Sequence, residues 1–315
     1  MKVVVQIPCL NEAGTLPLVL QSIPKAIDGV DELIVLVIDD GSTDETIAVA
    51  QKHGVTEFVR HTRNQGLGRS FHDGVLRALE LGADIVVNTD GDNQYPQARI
   101  ADLLKPIVNR KADIVIADRQ THQIEHFSWW KKQLQRLGSA VVNKAAGTDL
   151  PDAVSGFRAY SRESLLRLNT ITRFSYCTET IIQAGNKGLA ITSIPVDTNP
   201  KLRESRLFKS TGEHIRKSAL TIVRAYVMYK PHIIFGWLGS LLFALGLVPF
   251  ARFAYFGLAE GTTRGHLQSL LIGSILMIGA FLCLVLNIIA DLIHINRILI
   301  EDNLEQSKRL RFDRT

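Results

Sequence analysis

The chain has 315 residues, enough for one large domain and an appendage. Apolar residues make up 46% and charged residues 21%, an ordinary balance, yet mean hydropathy is +0.11, so the apolar excess is local and lies almost wholly after His232. A net charge of +5 suits anionic partners, phosphates or acidic headgroups, without choosing between them, and three cysteines without metal-like spacing (Cys9, Cys177, Cys283) exclude a disulfide framework.

In chain order, VVVQIP (3–8) is a short apolar, β-branched run that predicts a strand and is too short for a signal peptide. A helical pattern follows from Thr15. LIVLVIDD (33–40) predicts a second buried strand, and Ser42 or Thr43 can cap the helix after it. A short strand is expected at Glu57–Arg60, a helix at Gly68–Leu81, and further strands at ADIVVNTD (83–90) and ADIVIADR (112–119). Strands this apolar, alternating with helices, predict an α/β fold with a mostly parallel sheet covered on both faces. Ligands bind such sheets beyond the carboxyl ends of the strands. Asn11-Glu12, Asp39-Asp40 and Asp90-Gly91-Asp92 stand at the ends of three of them.

Further on, Trp130, Leu134, Leu137, Val141, Val142 and Ala145 recur at helical spacing beside Lys131, Lys132 and Arg136. Ile215, Leu220, Ile222, Val223 and Val227 do so beside Arg216, Lys217 and Arg224. Both read as basic amphipathic helices suited to a membrane surface. Residues 233–251 and 267–290 carry no charge through their apolar centres and are each long enough to span a bilayer. Lys and Arg crowd the outer flanks of the pair, from Arg216 to Lys230 and from Arg297 to Arg314, which places both flanks in the cytoplasm. The expected organisation is a cytoplasmic domain over 1–210, a juxtamembrane helix over 211–231, two transmembrane helices within 232–296 and a basic tail over 297–315. An integral protein of a cell inner membrane, or its equivalent, is expected, with no nucleic-acid partner.

The chemistry-bearing residues are oxygen-rich. Asp90 and Asp92, spaced by two at a strand end, can face one way and share a divalent cation, with Gln94 able to complete the shell. Magnesium or manganese held by such carboxylates and by substrate phosphates offsets charge on a diphosphate leaving group. Asp39 and Asp40 can accept hydrogen bonds from a base and a ribose, or act as caps. The loop Asn64–Arg69, with Gly66 and Gly68 before Arg69, can approach a phosphate closely, although its spacing is not the dinucleotide fingerprint. His61, His72, His122 and His126 have no ligand spacing and read as surface or satisfied core histidines.

Taken together, IPCLNE, VIDDGSTD, NTDGDNQYP and DAVSGFRAYSRES resemble the family 2 glycosyltransferases over residues 3 to 200. With the paired C-terminal spans, the chain is similar to the polyprenyl-phosphate glycosyltransferases, the dolichol-phosphate mannose synthase-like group. The resemblance implies a GT-A, Rossmann-like fold and an inverting transfer of a hexose from a UDP- or GDP-linked donor to polyprenyl phosphate, often in a homo-oligomer. It assigns Pro8, Asn11, Glu12, Asp39, Asp40, Gly68, Arg69 and Asp90 to the nucleotide, and Asp90, Asp92 and Gln94 to Mg2+ or Mn2+. Arg119, Arg136 and Ser139 receive the acceptor phosphate, with Arg203 and Arg206 on a basic loop over the site. Asp92, Asp152 and Arg119 are the candidate catalytic residues.

One departure from the family is informative. The Glu-Asp pair that serves hydroxyl-glycosylating relatives as general base is missing downstream of the metal motif, and Asp152 and Glu179 are the nearest single candidates. A hydroxyl nucleophile needs a base, whereas a phosphate monoester, with a second pKa near ~6, is already largely a dianion. A processive polysaccharide synthase is the alternative enzyme, but Gln133-x-x-Arg136 is followed by Leu137 rather than tryptophan, and two spans make a poor channel. An inactive nucleotide-binding adaptor would not need both Asp90 and Asp92.

Overall fold

A computed structural model describes the backbone of residues 1–120, 129–172, 176–200, 231–259 and 267–312, and the side chains of these apart from residues 129–132, 134–137, 231, 232 and 259. The amphipathic segment expected at 211–231, and Arg203 and Arg206, lie outside the described residues. Two units divide the chain. Residues 1–200 together with 301–312 belong to one, and 231–300 to the other.

The first unit is built on seven strands. In chain order they are β1 (Lys2–Cys9), β2 (Glu32–Asp39), β3 (Glu57–Arg60), β4 (Ile85–Asn88), β5 (Ile114–Asp118), β6 (Arg158–Ser161) and β7 (Ile191–Pro195). Helices α1 (Leu16–Ser22), α2 (Thr46–Lys52), α3 (Leu67–Glu80), α4 (Ile100–Val108), α5 (Trp129–Ala146), α6 (Arg162–Arg167) and α7 (Tyr176–Asn186) connect them. The strand order is β3-β2-β1-β4-β6-β5-β7. β6 runs antiparallel to both of its neighbours, and the other pairings are parallel. Both faces of β1 are covered, because Val3, Val4, Val5 and Ile7 are all fully buried. Pro8, which has no N–H to give, is tolerated in this central strand because the ladder to β4 has ended at Gln6↔Asn88.

Sequence and structure part at α2. It begins at Thr46, with Glu45 at the cap position and no side-chain cap. Ser42 and Thr43 are engaged elsewhere: Ser42 Oγ accepts the Asn11 amide at 2.9 Å, and the Thr43 amide donates to Asn11 Oδ1 at 2.7 Å. The C-terminal half of α5 is core rather than surface, since Val142 and Ala145 are buried.

The second unit contains α8 (Pro231–Ala259) and most of α9 (Leu267–Phe312). Their apolar windows have mean hydropathies of 2.1 and 2.6, with only 6% and 22% of each window covered by protein. Buried core helices of a soluble protein would be covered, so the pair fits a lipid solvent, being long and apolar enough to cross a membrane. Where the helices meet, Gly246 packs against Leu276 and Met277, and Gly273 against Phe250, the small-residue contact that lets membrane helices approach closely.

Of the basic residues expected in a tail, Lys308, Arg309 and Arg311 lie on the last turns of α9, and those turns belong to the first unit. Lys308 Nζ donates to the Leu168 carbonyl at 2.6 Å and the Leu165 carbonyl at 3.3 Å. Glu301 pairs with Lys187 at 3.0 Å, Arg311 with Glu80 at 2.6 Å, and Arg309 with Glu163.

Candidate active site

Strand order explains why distant motifs meet. β1 lies between β2 and β4, and all three are parallel, so Asn11-Glu12, Asp39-Asp40 and Asp90–Gln94 emerge at one edge of the sheet. The chain leaves β1 for β2 on one side and returns to β4 on the other, which makes this edge the switch point where α/β sheets bind ligands. β5 delivers Arg119 to the same edge, and β6, being reversed, begins there. The pair Asn88↔Arg158 therefore sets the Asp152–Phe157 loop beside Asp90.

On the β1–β2 side, Asp39 Oδ1 accepts the Ser42 amide at 3.0 Å. Asp40 accepts the amides of Gln65 at 2.8 Å and Gly66 at 2.9 Å, and meets His61 Nδ1 at 2.7 Å. A carboxylate has about four lone-pair sites, and these contacts take most of Asp40's. Gly41 between them has φ +79°, and a Cβ there would lie 2.7 Å from the Arg63 carbonyl carbon, so only glycine fits this turn. Asn11 also takes a positive φ, 57°, which asparagine tolerates. Glu12 is buried and accepts the Thr15 hydroxyl at 2.7 Å. Gly68 is buried in the first turn of α3, and the exposed Arg69 donates to Asp73 at 2.8 Å.

At the metal motif, Asp92 Oδ1 and Oδ2 accept the Gln94 amide at 3.1 Å and its side-chain Nε2 at 2.7 Å. Burial first, and the Asp92 charge second, push the Asp90 carboxyl up to about 7, against the opposing pull of Arg119 and Arg158. Neighbouring carboxylates disfavour each other's ionisation, and a hard dication relieves that. The donor set fits magnesium or manganese: oxygen ligands only, with room for substrate phosphates. Among the described residues, no cluster of His, Cys, Asp and Glu offers a fully protein-built cage.

Arg119 Nε donates to Asp152 Oδ2 at 2.6 Å and Nη2 to Oδ1 at 3.0 Å, a two-point fork. The Asp152 side chain is 1% exposed. Burial pushes its carboxyl up, but the charge and hydrogen bonds of Arg119 outweigh this and hold it below the ordinary carboxylate range. It is therefore a poor base. Glu179, the other candidate base, accepts the amides of Ile171 and Thr172 and the Thr172 hydroxyl at 2.8 Å, so it fastens a loop. Ser139 is buried, and its Oγ accepts the Ala153 amide at 3.4 Å, beside Asp152. Arg136 lies on α5, outside the described side chains.

Three residues not singled out from sequence complete the site. Arg158 is fully buried; its guanidinium donates to the carbonyls of Ser155, Ala153 and Cys177, placing a fixed positive charge under Asp90. Tyr95 accepts the Gly156 amide at 3.0 Å and stacks on Phe157 at 5.2 Å. Gly156 carries the Asp90 carboxylate directly on its Cα face: a Cβ there would lie 2.9 Å from Oδ2. The sequence signal for Gly156 and Arg158 was SGFR, an arginine after small residues in an otherwise apolar context, and Tyr95 follows Gln94 of the metal motif.

A seven-stranded mixed sheet with an Asp-x-Asp pair at its switch point defines a GT-A-like glycosyltransferase. The same architecture is found in the glucosyl-3-phosphoglycerate synthase of Mycobacterium tuberculosis, solved with Mn2+, UDP-glucose and phosphoglyceric acid (TM-score 0.56, 25% identity, 71% of this chain and 79% of that one). Residues 4–168 match the model of Glycosyl transferase family 2, and the chain belongs to that family. Among its relatives are the polyprenol monophosphomannose synthase of Mycolicibacterium smegmatis, 26% identical over 70% of this chain and 85% of that protein, and the undecaprenyl-phosphate mannosyltransferase of Micrococcus luteus, 28% identical over 71% and 93%.

Proposed function

We propose that this glycosyltransferase moves a hexose from a UDP- or GDP-linked donor to a polyprenyl phosphate, with inversion, at the cytoplasmic face of a membrane. The observation that carries the acceptor is the Arg119–Asp152 fork. With Asp152 ionised and tied, and Glu179 fastened to its loop, neither sequence candidate can take a proton from a hydroxyl. A nucleophile that arrives already ionised removes the need, and a phosphate monoester does so. The names of the mannosyl-transferring relatives support the same acceptor, and α8 and α9 supply the membrane attachment that a lipid substrate requires.

In this reading Asp39 accepts from the base or ribose, being less engaged than Asp40, while Pro8, Asn11 and Glu12 shape the floor. Gly68 and Arg69 border the nucleotide at the start of α3. Asp90, Asp92 and Gln94 would hold the divalent ion, which would offset charge on the leaving diphosphate. Asp152 fixes the plane of Arg119, whose remaining N–H groups hold the acceptor phosphate. Ser139, Arg136, Arg203 and Arg206 complete that cradle. One phosphate oxygen then attacks the anomeric carbon from the face opposite the nucleoside diphosphate, which departs with the bonding electron pair.

The test is to supply purified protein with UDP- and GDP-sugars and either polyprenyl phosphate or the matching polyprenol, and to analyse the lipids by mass spectrometry. A polyprenyl-phosphate monosaccharide is expected, with no product from the alcohol. Efficient glycosylation of the alcohol, or long polymers, would overturn the reading.

A further inference from the structure

His61 follows β3, and its side chain is only 5% exposed. Its Nδ1 lies 2.7 Å from Asp40 Oδ1 and its Nε2 3.1 Å from Asp73 Oδ2. Asp73, in the second turn of α3, also accepts Arg69 Nε at 2.8 Å. Asp40 accepts the amides of Gln65 and Gly66. The contacts thus form one connected chain, from Arg69 through Asp73, His61 and Asp40 to the backbone of the loop that precedes Arg69. Gly41 closes the other side, with no room between it and Arg63. The loop at the head of α3 is therefore held by Asp40, and His61, just past the end of β3, braces Asp40 against Asp73.

We propose that His61 is a positioning residue for the donor: by bridging Asp40 and Asp73 it sets the Gln65–Arg69 loop against which the nucleoside diphosphate rests. This rests on the donor-binding part of the reading above. The buried imidazole acts only through Asp40 and Asp73, so its effect falls on donor binding. Loss of the bridge frees Asp40 to turn, and the Gln65 and Gly66 amides lose their fixed acceptor. Donor affinity falls while the displacement chemistry at Asp90, Asp92 and Arg119 is unaltered.

The experiment compares His61→Ala, His61→Gln and Asp73→Asn in the full-length protein. It measures donor KM, acceptor KM and kcat, with UDP and GDP titrated by calorimetry and folding followed by thermal melting. His61→Ala should raise donor KM and nucleotide Kd about tenfold, or ~1.4 kcal/mol of binding, with kcat at saturating donor and acceptor KM unchanged. His61→Gln, which retains a donor of similar reach, should recover part of the loss. Asp73→Asn should raise donor KM by less, and its combination with His61→Ala should add nothing. A lowered melting temperature with unchanged donor KM and Kd would overturn the proposal, as would additive effects or a fall confined to kcat. If His61→Ala does not fold, the other variants decide alone. Failure of the unaltered protein to bind either nucleotide would instead refute the functional reading itself.

Discussion

Replacing Asp152 by asparagine separates two roles that a carboxylate in this place could have. The side chain is almost fully buried and joined to Arg119 by contacts of 2.6 and 3.0 Å. Asparagine keeps one acceptor but turns an amide N–H2 toward the guanidinium and leaves its charge unpaired. Removing one partner of a buried pair costs about 3–5 kcal/mol, and Arg119, at 19% exposure, argues for the lower end. For a unit of this size 1 kcal/mol moves the midpoint by about 2–4 °C, so differential scanning fluorimetry in detergent should read a fall of at least several degrees. Turnover per folded molecule should drop by less than the ~10²–10⁴ expected for loss of a general base. Because the Arg119 charge holds the Asp152 carboxyl below the ordinary range, it is ionised throughout the neutral region and the rate–pH profile should keep its shape. An unchanged melting temperature, together with a rate loss of that larger size and disappearance of the acidic limb, would refute the argument and make Asp152 the base.

Burial and Asp92 raise the Asp90 carboxyl from 3.8 to about 7, so the folded state holds a proton that the unfolded chain releases in that window. The ion-free protein should therefore lose stability as pH rises from about 4 to 7, and added Mn2+ should raise the melting temperature more at pH 8 than at pH 6; equal shifts would contradict this. Gly156→Ala should displace the Asp90 carboxylate and cut activity by ~10²-fold, the scale of a misplacement near 1 Å, while reducing the metal-induced melting shift. Lys308→Met should strand the Leu165 and Leu168 carbonyls and cost about 1–3 kcal/mol, seen as a lower melting temperature with normal turnover per folded molecule.

The central sheet was legible because its strands are nearly continuous apolar runs, and the clustering of Asp40, Asp90 and Asn11 followed from parallel strands ending at one edge. The start of α2 was not, because Ser42 and Thr43 have the chemistry of caps but a competing partner in Asn11, a contact across 31 and 32 residues. β6 was hidden by its length and by opening on Arg158, whose burial depends on carbonyls from two other segments. Periodicity carries no trace of such a long-range arrangement. The same holds for Asp152: its sequence neighbourhood reads as a turn, and only the fold brings Arg119 within reach across 33 residues. His61 reads alone as a bland core histidine, and its neighbours Asp40 and Asp73 give it a role.

The last turns of α9 have a consequence for biosynthesis. The chain must emit both apolar helices before it makes Glu301, Lys308 and Arg311, which bind Lys187, the Leu165 and Leu168 carbonyls and Glu80. The sheet and its site are therefore synthesised well before the unit that contains them can close. Until then the Leu165–Leu168 stretch waits with unmet carbonyls, and completion of the enzyme depends on the hydrophobic pair being made first. A nascent chain arrested before α9 would carry every residue of the site on an unfinished scaffold, while still lacking the three side chains that pair with Lys187, Glu80 and the Leu165 and Leu168 carbonyls.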